Sequence, residues 1–149
     1  MRIIFNKLKI HNFMSFKDEE FDFHAHSGIV AINGLIWENG KPNPRKKNGA
    51  GKSTLFNSVR YCLYGIKSID NKVPKDSLVN SYSDDNHMYI TVDLNGVDGK
   101  HYVVTRGIKS GSTYLNVDKV NDDGSIESVN HSVIAETDNF LQRGFWLVI

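Results

Sequence analysis

The sequence predicts an α/β fold: one helix fed by a buried strand, followed by antiparallel ribbons. Three observations carry this expectation. The chain opens with a period-two alternation, and a single run at helical spacing fills residues 52–64. The second half then alternates again, punctuated by Asn95-Gly96 and Asp123-Gly124.

The elements follow in chain order. Residues 2–10 place Ile4, Asn6, Leu8 and Ile10 on one face and Ile3, Phe5, Lys7 and Lys9 on the other, as in a strand. Residues 12–16 read as a turn, and Glu20-Phe21-Asp22-Phe23 as a short strand pairing back. Residues 28–33 form a nearly continuous apolar run bounded by glycines, which suits a strand buried in mid-sheet. Residues 34–49 are polar and hold the turn formers Asn39-Gly40, Pro42 and Pro44. Over 52–64, Leu55, Val59, Cys62 and Leu63 recur at helical spacing, and Gly65 stands where a C-terminal cap belongs. Cys62 reads there as a small buried apolar residue. Met88, Ile90, Val92 and Leu94 then alternate with Tyr89, Thr91 and Asp93, and residues 102–105 return after a turn. Residues 113–120 with Ile126 make a further hairpin, and residues 131–142 a helix with Val133, Ile134, Phe140 and Leu141 apolar.

Composition narrows the class of protein. The length of 149 residues is about one domain's worth of chain, and 40% hydrophobic residues argue against disorder, collagen or coiled coil. Lys+Arg of 18 against Asp+Glu of 17 leaves a net charge of +1, so no global field points to nucleic acid. One cysteine rules out an internal disulfide framework and a cysteine-cluster zinc site. No apolar run approaches the ~18–20 residues that span a bilayer, and the opening lacks the core of a signal peptide. A soluble intracellular protein is expected, cytoplasmic and without a membrane partner.

The informative segment is Asn48-Gly49-Ala50-Gly51-Lys52-Ser53-Thr54, entered from a predicted strand and opening the predicted helix. Glycines and small residues let backbone amides turn inward around a phosphate. Lys52 is spaced to reach the β- and γ-oxygens of ATP, and the Ser53 hydroxyl to hold Mg²⁺. The helix N-terminus behind them favours the anion. The regular G-x-x-x-x-G-K-[ST] spacing is broken, because Lys46 stands where the first glycine belongs. Gly34 lies seventeen residues before Gly51 rather than five, so about twelve residues at roughly 35–47 are inserted. Lys41, Arg45, Lys46 and Lys47 make that insertion basic; it reads as a solvated excursion, with phosphate or DNA contact as the rival use.

With these residues in hand, the chain resembles the N-terminal ATPase lobe of the SbcC-type double-strand-break-repair family. Within it, the chain is most similar to the ATPase subunit of tailed-phage recombination endonucleases. The resemblance rests on Leu8-Lys9-Ile10-His11-Asn12-Phe13-Met14-Ser15-Phe16, on the phosphate loop through Leu55, and on Leu63-Tyr64-Gly65. It extends to Leu78-Val79-Asn80 and the ribbons through Arg106, covering roughly residues 1 to 120. It implies the N-terminal half of an ABC-type ATPase head: a mixed sheet, a phosphate-loop helix and an antiparallel ribbon subdomain. It further implies ATP and Mg²⁺ as cofactors, head-to-head pairing of two heads on DNA ends, and a nuclease partner of the SbcD type. Asn48, Gly49, Ala50, Gly51, Lys52, Ser53 and Thr54 would then cradle the phosphates. Ser15 would lie near the nucleotide, and residues 77–79 would approach its base or ribose side. Cellular relatives often carry an arginine where Met14 stands, so a phosphate contact there is not carried over.

Parts needed for hydrolysis are not found in the sequence. The strand ending at Asp93 has no following glutamate, and Ser110-Gly111-Ser112 reads as a hairpin turn rather than a signature loop. Glu127 and Glu136 have no acidic partner for base catalysis, and His24 and His26 lack a third ligand, so both pairs read as surface groups. The chain thus reads as an ATPase half-site, residues 1–149 forming one lobe that ends early at the apolar Phe145-Trp146-Leu147-Val148-Ile149. The rival reading is a stand-alone interaction protein that mimics such a lobe and modulates a nuclease–ATPase complex. Direct DNA binding through the basic insertion ranks last.

Overall fold

A computed structural model describes residues 2–43, 51–69, 73–130 and 134–145. Its frame is a six-stranded sheet in the order β2-β1-β5-β6-β7-β8. These are β1 (Ile4–His11), β2 (Asp18–Asp22), β5 (His87–Asn95), β6 (His101–Lys109), β7 (Ser112–Val120) and β8 (Ile126–Ser128). Every pairing in it is antiparallel. A separate hairpin joins β3 (Ile36–Glu38) to β4 (Lys41–Asn43), and two helices complete the fold, α1 (Lys52–Tyr64) and α2 (Ile134–Phe145).

The alternation in β5 is realised residue for residue. Met88, Ile90, Val92 and Leu94 are buried while Tyr89, Thr91 and Asp93 stay half-buried on the other face. Leu8 and Ile10 of β1, Val104 and Ile108 of β6, and Leu115 and Val117 of β7 extend the same apolar face. Helix α1 packs on it through Leu55, Tyr61, Cys62 and Leu63, and α2 adds Leu141. A fully buried leucine of this kind is worth about 2–5 kcal/mol against alanine. The opposite face is polar: Asp93 accepts a hydrogen bond from Asn6 Nδ2 at 2.8 Å and lies 2.8 Å from His101 Nε2. Asp93 is therefore a structural carboxylate of the sheet.

Two expectations for the first half need correction. The period-two face of β1 holds only from Leu8 onward, because the register shifts between Phe5 and Lys7 and leaves Ile4 exposed. More substantially, residues 28–33 do not form the expected buried strand. Ile29, Val30 and Ile32 are exposed, and Ile29 has no covering contact at 103% of its reference area. A mid-sheet strand needs neighbours on both edges, and among the described residues no strand lies beside this run.

The inserted segment holds structure the sequence reading treated as loop. Asn39 and Gly40 both adopt positive φ, 52° and 75°, the two-residue turn that joins twisted strands. Pro42 masks β4 in the sequence because proline is confined to edge positions, which β4 occupies. Arg45, Lys46 and Lys47 lie outside the described residues, as do residues 131–133 of the expected closing helix and residues 146–149.

Candidate functional site

Helix α1 starts at Lys52 and ends at Tyr64, the span expected from its spacing. Gly65 terminates it at φ 75°, its N–H donating to the Tyr61 carbonyl at 2.8 Å. Its other end is left open to a ligand. Gly51 occupies the N-cap at φ 82°, a left-handed conformation that a side chain resists. No side chain caps this end, and no acidic residue stands in the first turn. The leading amides of a helix have no intrahelical acceptor, and the helix dipole gives this end, at Lys52, Ser53 and Thr54, positive character.

This end forms one wall of a cavity of about 940 Å³, a size that accommodates a cofactor. Gly51, Lys52, Ser53 and Thr54 line it together with Met14 and Ser15 of the opening turn. A Cβ added at Gly51 would lie 3.4 Å from both Ser15 Oγ and Phe16 Cζ. The turn is thus folded directly onto the loop. The sequence reading placed Ser15 near the loop only by resemblance; the fold shows how it gets there. Asn12 and Met14 both take positive φ, 51° and 50°, which reverses the chain twice between β1 and Ser15. Positive φ is uncommon for methionine and is held here by surrounding bonds. Met14 N–H donates to the Leu78 carbonyl at 2.8 Å, and Asn12 N–H to the Lys17 carbonyl at 2.6 Å.

The facing wall runs from Asp76 to Tyr82, contributing Asp76, Ser77, Val79, Asn80, Ser81 and Tyr82. It comprises a 3₁₀ turn at Lys75–Leu78 and a single bridge pairing Val79 with Phe13. Asn80 N–H donates to the Asn12 carbonyl at 2.8 Å, while its side-chain amide reaches the Phe16 carbonyl at 3.1 Å. Sequence reasoning named residues 77–79 but missed Asp76, Asn80, Ser81 and Tyr82. The turn formers Asn80, Ser81 and Ser83 were the available signal, without indicating what the turn faces.

The other candidates fall elsewhere. Asn48, Gly49 and Ala50 lie outside the described residues. His24 and His26 are exposed in the turn after β2, with His24 Nε2 2.8 Å from Asn6 Oδ1. Glu127 pairs with Lys119 at 3.1 Å. Ser110 and Gly111 make the β6–β7 turn, at φ 48° and 78°. Cys62 is fully buried, its thiol donating toward the Ile90 and Val104 carbonyls, and burial pushes its pKa up to about 12. Among the described residues no group of three or more histidine, cysteine, aspartate or glutamate side chains is arranged to hold a metal ion. Nor is any helix among them long and apolar enough to cross a membrane.

A phosphate-loop helix laid on an antiparallel sheet, with the opening turn folded onto the loop, defines the front of an ABC-type ATPase head. The chain matches the AAA domain family model AAA_23 over residues 7–143 and belongs to that family. It is similar to the DNA double-strand break repair Rad50 ATPase of Archaeoglobus fulgidus, 29% identical over 124 residues. That match covers 83% of this chain and 12% of the Rad50 protein. The fold is shared with the recombination mediator protein RecF in its RecF-ATP structure: TM-score 0.53, 15% identity, 87% of this chain and 28% of that one. A RecF-ATPrS structure matches with TM-score 0.52 and 19% identity, over 78% of this chain and 27% of that one. The expected α/β fold class of an ABC-type head is the fold found, with one correction. The sheet expected to be mixed pairs only antiparallel strands among the described residues, because hairpins rather than parallel crossovers join β1 to β2, β5 to β6, β6 to β7 and β7 to β8.

Proposed function

We propose that this chain is the ATP-binding lobe of a phage-type recombination and repair ATPase subunit that works with a nuclease on DNA double-strand ends. The observation that carries this reading is the meeting of Ser15 with Gly51, Lys52, Ser53 and Thr54 in one cavity at the uncapped N-terminus of α1. The similarity to a DNA double-strand break repair Rad50 ATPase supports the assignment to repair, and a nuclease of the SbcD type is the partner this reading proposes.

In this reading Asn48 to Thr54 form the amide cradle, and Lys52 neutralises the β- and γ-phosphates. The Ser53 hydroxyl, exposed at the cavity wall, would hold Mg²⁺. The residues fit these groups: Gly51 takes the left-handed φ of 82° that a side chain resists, and no carboxylate in the first turn competes with the anion. Held by the Ser53 hydroxyl, Mg²⁺ would supply charge neutralisation for the phosphates. Ser15 closes the cradle from the side of β1.

Residues 1–149 act as one lobe of a head whose remaining parts come from another segment or chain. The bare apolar residues Ile29, Val30, Ile32 and Leu35 mark where such a part would pair. Two completed heads would then engage on DNA. Bound ATP is held here and turned over only slowly, since among the described residues the wall facing Lys52 offers Asp76 and no glutamate. Steady-state phosphate release by the 149-residue chain tests this. Turnover near the buffer background is expected; vigorous turnover abolished by Lys52→Ala would overturn the half-site reading.

A further inference from the structure

Asn12 ties the opening turn to the far wall of the cavity, and a histidine sits against its side chain. Asn12 N–H donates to the Lys17 carbonyl at 2.6 Å, and the Asn12 carbonyl accepts from Asn80 N–H at 2.8 Å. Its side-chain amide has two hydrogens and three acceptors in reach: Asp85 Oδ1 at 2.7 Å, His11 Nε2 at 2.9 Å and the His87 carbonyl at 3.1 Å. Turning the amide over would set its oxygen against the Asp85 carboxylate. His11 Nε2 also faces Asp85 Oδ2 at 3.4 Å, while its Nδ1 lies 2.6 Å from Asp18 Oδ1 of β2.

The proton on His11 separates two arrangements of these groups. With a neutral ring, Nδ1–H donates to Asp18 and the Nε2 lone pair faces the Asp85 carboxylate. Asn12 must then turn one hydrogen to Nε2 and give up Asp85 or the His87 carbonyl. With a charged ring, Nε2–H donates to Asp85 Oδ2, and Asn12 keeps both Asp85 Oδ1 and the His87 carbonyl. Charge-assisted bonds then run unbroken from β2 through His11 and Asp85 to Asn12. Asp85 is also held by Ser83 Oγ at 2.8 Å, next to Tyr82 of the cavity wall. Burial opposes the charge on His11, but its contacts with Asp18 and Asp85 outweigh this and leave its pKa raised. His87 and Tyr89 of β5 are the other rings beside it. His87, bonded to Tyr114 of β7, is lowered by burial and then by Lys109 of β6, so it stays neutral while His11 charges.

We propose that His11 is a proton-operated latch on the nucleotide cavity. Its charged ring draws Asp18, Asp85 and Asn12 together, holds the turn carrying Ser15 against residues 80–85, and tightens the grip on nucleotide. The grip rests on the phosphate-loop reading above, whereas the latch itself does not. It closes at low pH and opens as pH rises through the folded His11 midpoint.

The test uses the full chain, wild type, His11→Gln, Asp85→Asn, His87→Gln and Lys52→Ala, at about pH 5.5 and about pH 8.5, either side of the ordinary histidine value of about 6.5. Without ligand, hydrogen exchange at the Met14 and Asn80 amides reports the latch, since both bond across the two walls. Their protection in wild type relative to His11→Gln should be about fivefold greater at the lower pH and equal at the higher. Mg²⁺-ATP affinity, taken as the same ratio so that titration of the ligand's phosphates cancels, should follow the same course. Asp85→Asn should behave as His11→Gln does, and His87→Gln as wild type. A protection ratio that ignores pH overturns the latch whatever ATP does, and so does pH dependence lost in His87→Gln alone. A pH-dependent protection ratio with a flat ATP ratio overturns its hold on the nucleotide site. Lys52→Ala without effect on ATP overturns the phosphate-loop reading instead, and exchange still decides the latch.

Discussion

Asn80 donates its side-chain amide to the Phe16 backbone carbonyl across 3.1 Å, and that bond joins the two walls of the candidate site. One wall follows β1 and carries Ser15; the other precedes β5 and carries Ser77 and Tyr82. Residues sixty-four positions apart in sequence are thereby locked at the mouth of one cavity.

Asn80→Ala removes this bond and the acceptor for Tyr82 N–H. Net hydrogen-bond contributions of about 1 kcal/mol each put the loss at roughly 2 kcal/mol. Urea denaturation should show that loss, with a parallel fall in nucleotide affinity. Unchanged affinity in a folded variant would show that the walls are positioned independently.

Arg106 is buried beneath the C-terminal end of α1, donating from Nε to the Cys62 carbonyl at 2.9 Å and pairing with Asp138 of α2. Its side chain is 3% exposed and that of Asp138 26%. Removing the carboxylate strands a buried cation, whereas removing the cation does not. Asp138→Ala should therefore cost about 3 kcal/mol, more than Arg106→Met. Denaturant midpoints for the two variants decide the order.

His11 and His87 should titrate on opposite sides of the ordinary histidine value. Burial pulls His11 down, but its contacts with Asp18 and Asp85 outweigh this and leave it raised. His87 is lowered, first by burial and then by Lys109. His11 lies 2.6 Å from Asp18 and 3.4 Å from Asp85, and stacks on Tyr89. A raised value contributes stability that is full below the unfolded value of about 6.5 and is lost as pH rises through the folded one. A lowered value contributes in the opposite sense, with stability lost as pH falls through it. Imidazole resonances followed against pH should give His11 the higher midpoint. The reverse order would contradict the ion-pair geometry.

Cys62 should resist thiol reagents in the native state, its pKa pushed up to about 12 by complete burial. Labelling should appear only as denaturant unfolds the chain. Fast labelling of the native protein would mean that α1 does not pack on the sheet as described.

Local patterns made much of this fold legible. The spacing of Leu55, Val59 and Leu63 and the Gly65 cap delimit α1, and the alternation of Met88 to Leu94 gives β5 its buried face. What failed was pairing. Residues 28–33 have the hydrophobicity of a central strand, but hydrophobicity does not supply a neighbour, and Ile29 lies open. Pro42 hid β4 for the converse reason, since a proline-bearing strand needs an edge that sequence does not reveal. At the site, Gly51, Lys52 and Ser53 were legible because adjacent residues form the motif. Asn80 and Tyr82 were not, because their place depends on a bond to Phe16 across the fold.

The central claim is that the loop at Gly51 to Thr54 grips phosphate despite its stretched front. Calorimetric titration of the chain with ATP and Mg²⁺, wild type against Lys52→Ala, tests it most directly. The account predicts saturable one-to-one binding by the wild type that Lys52→Ala abolishes or weakens at least tenfold, the order of losing a charge-assisted contact. Equal heats and affinities for the two proteins would contradict it.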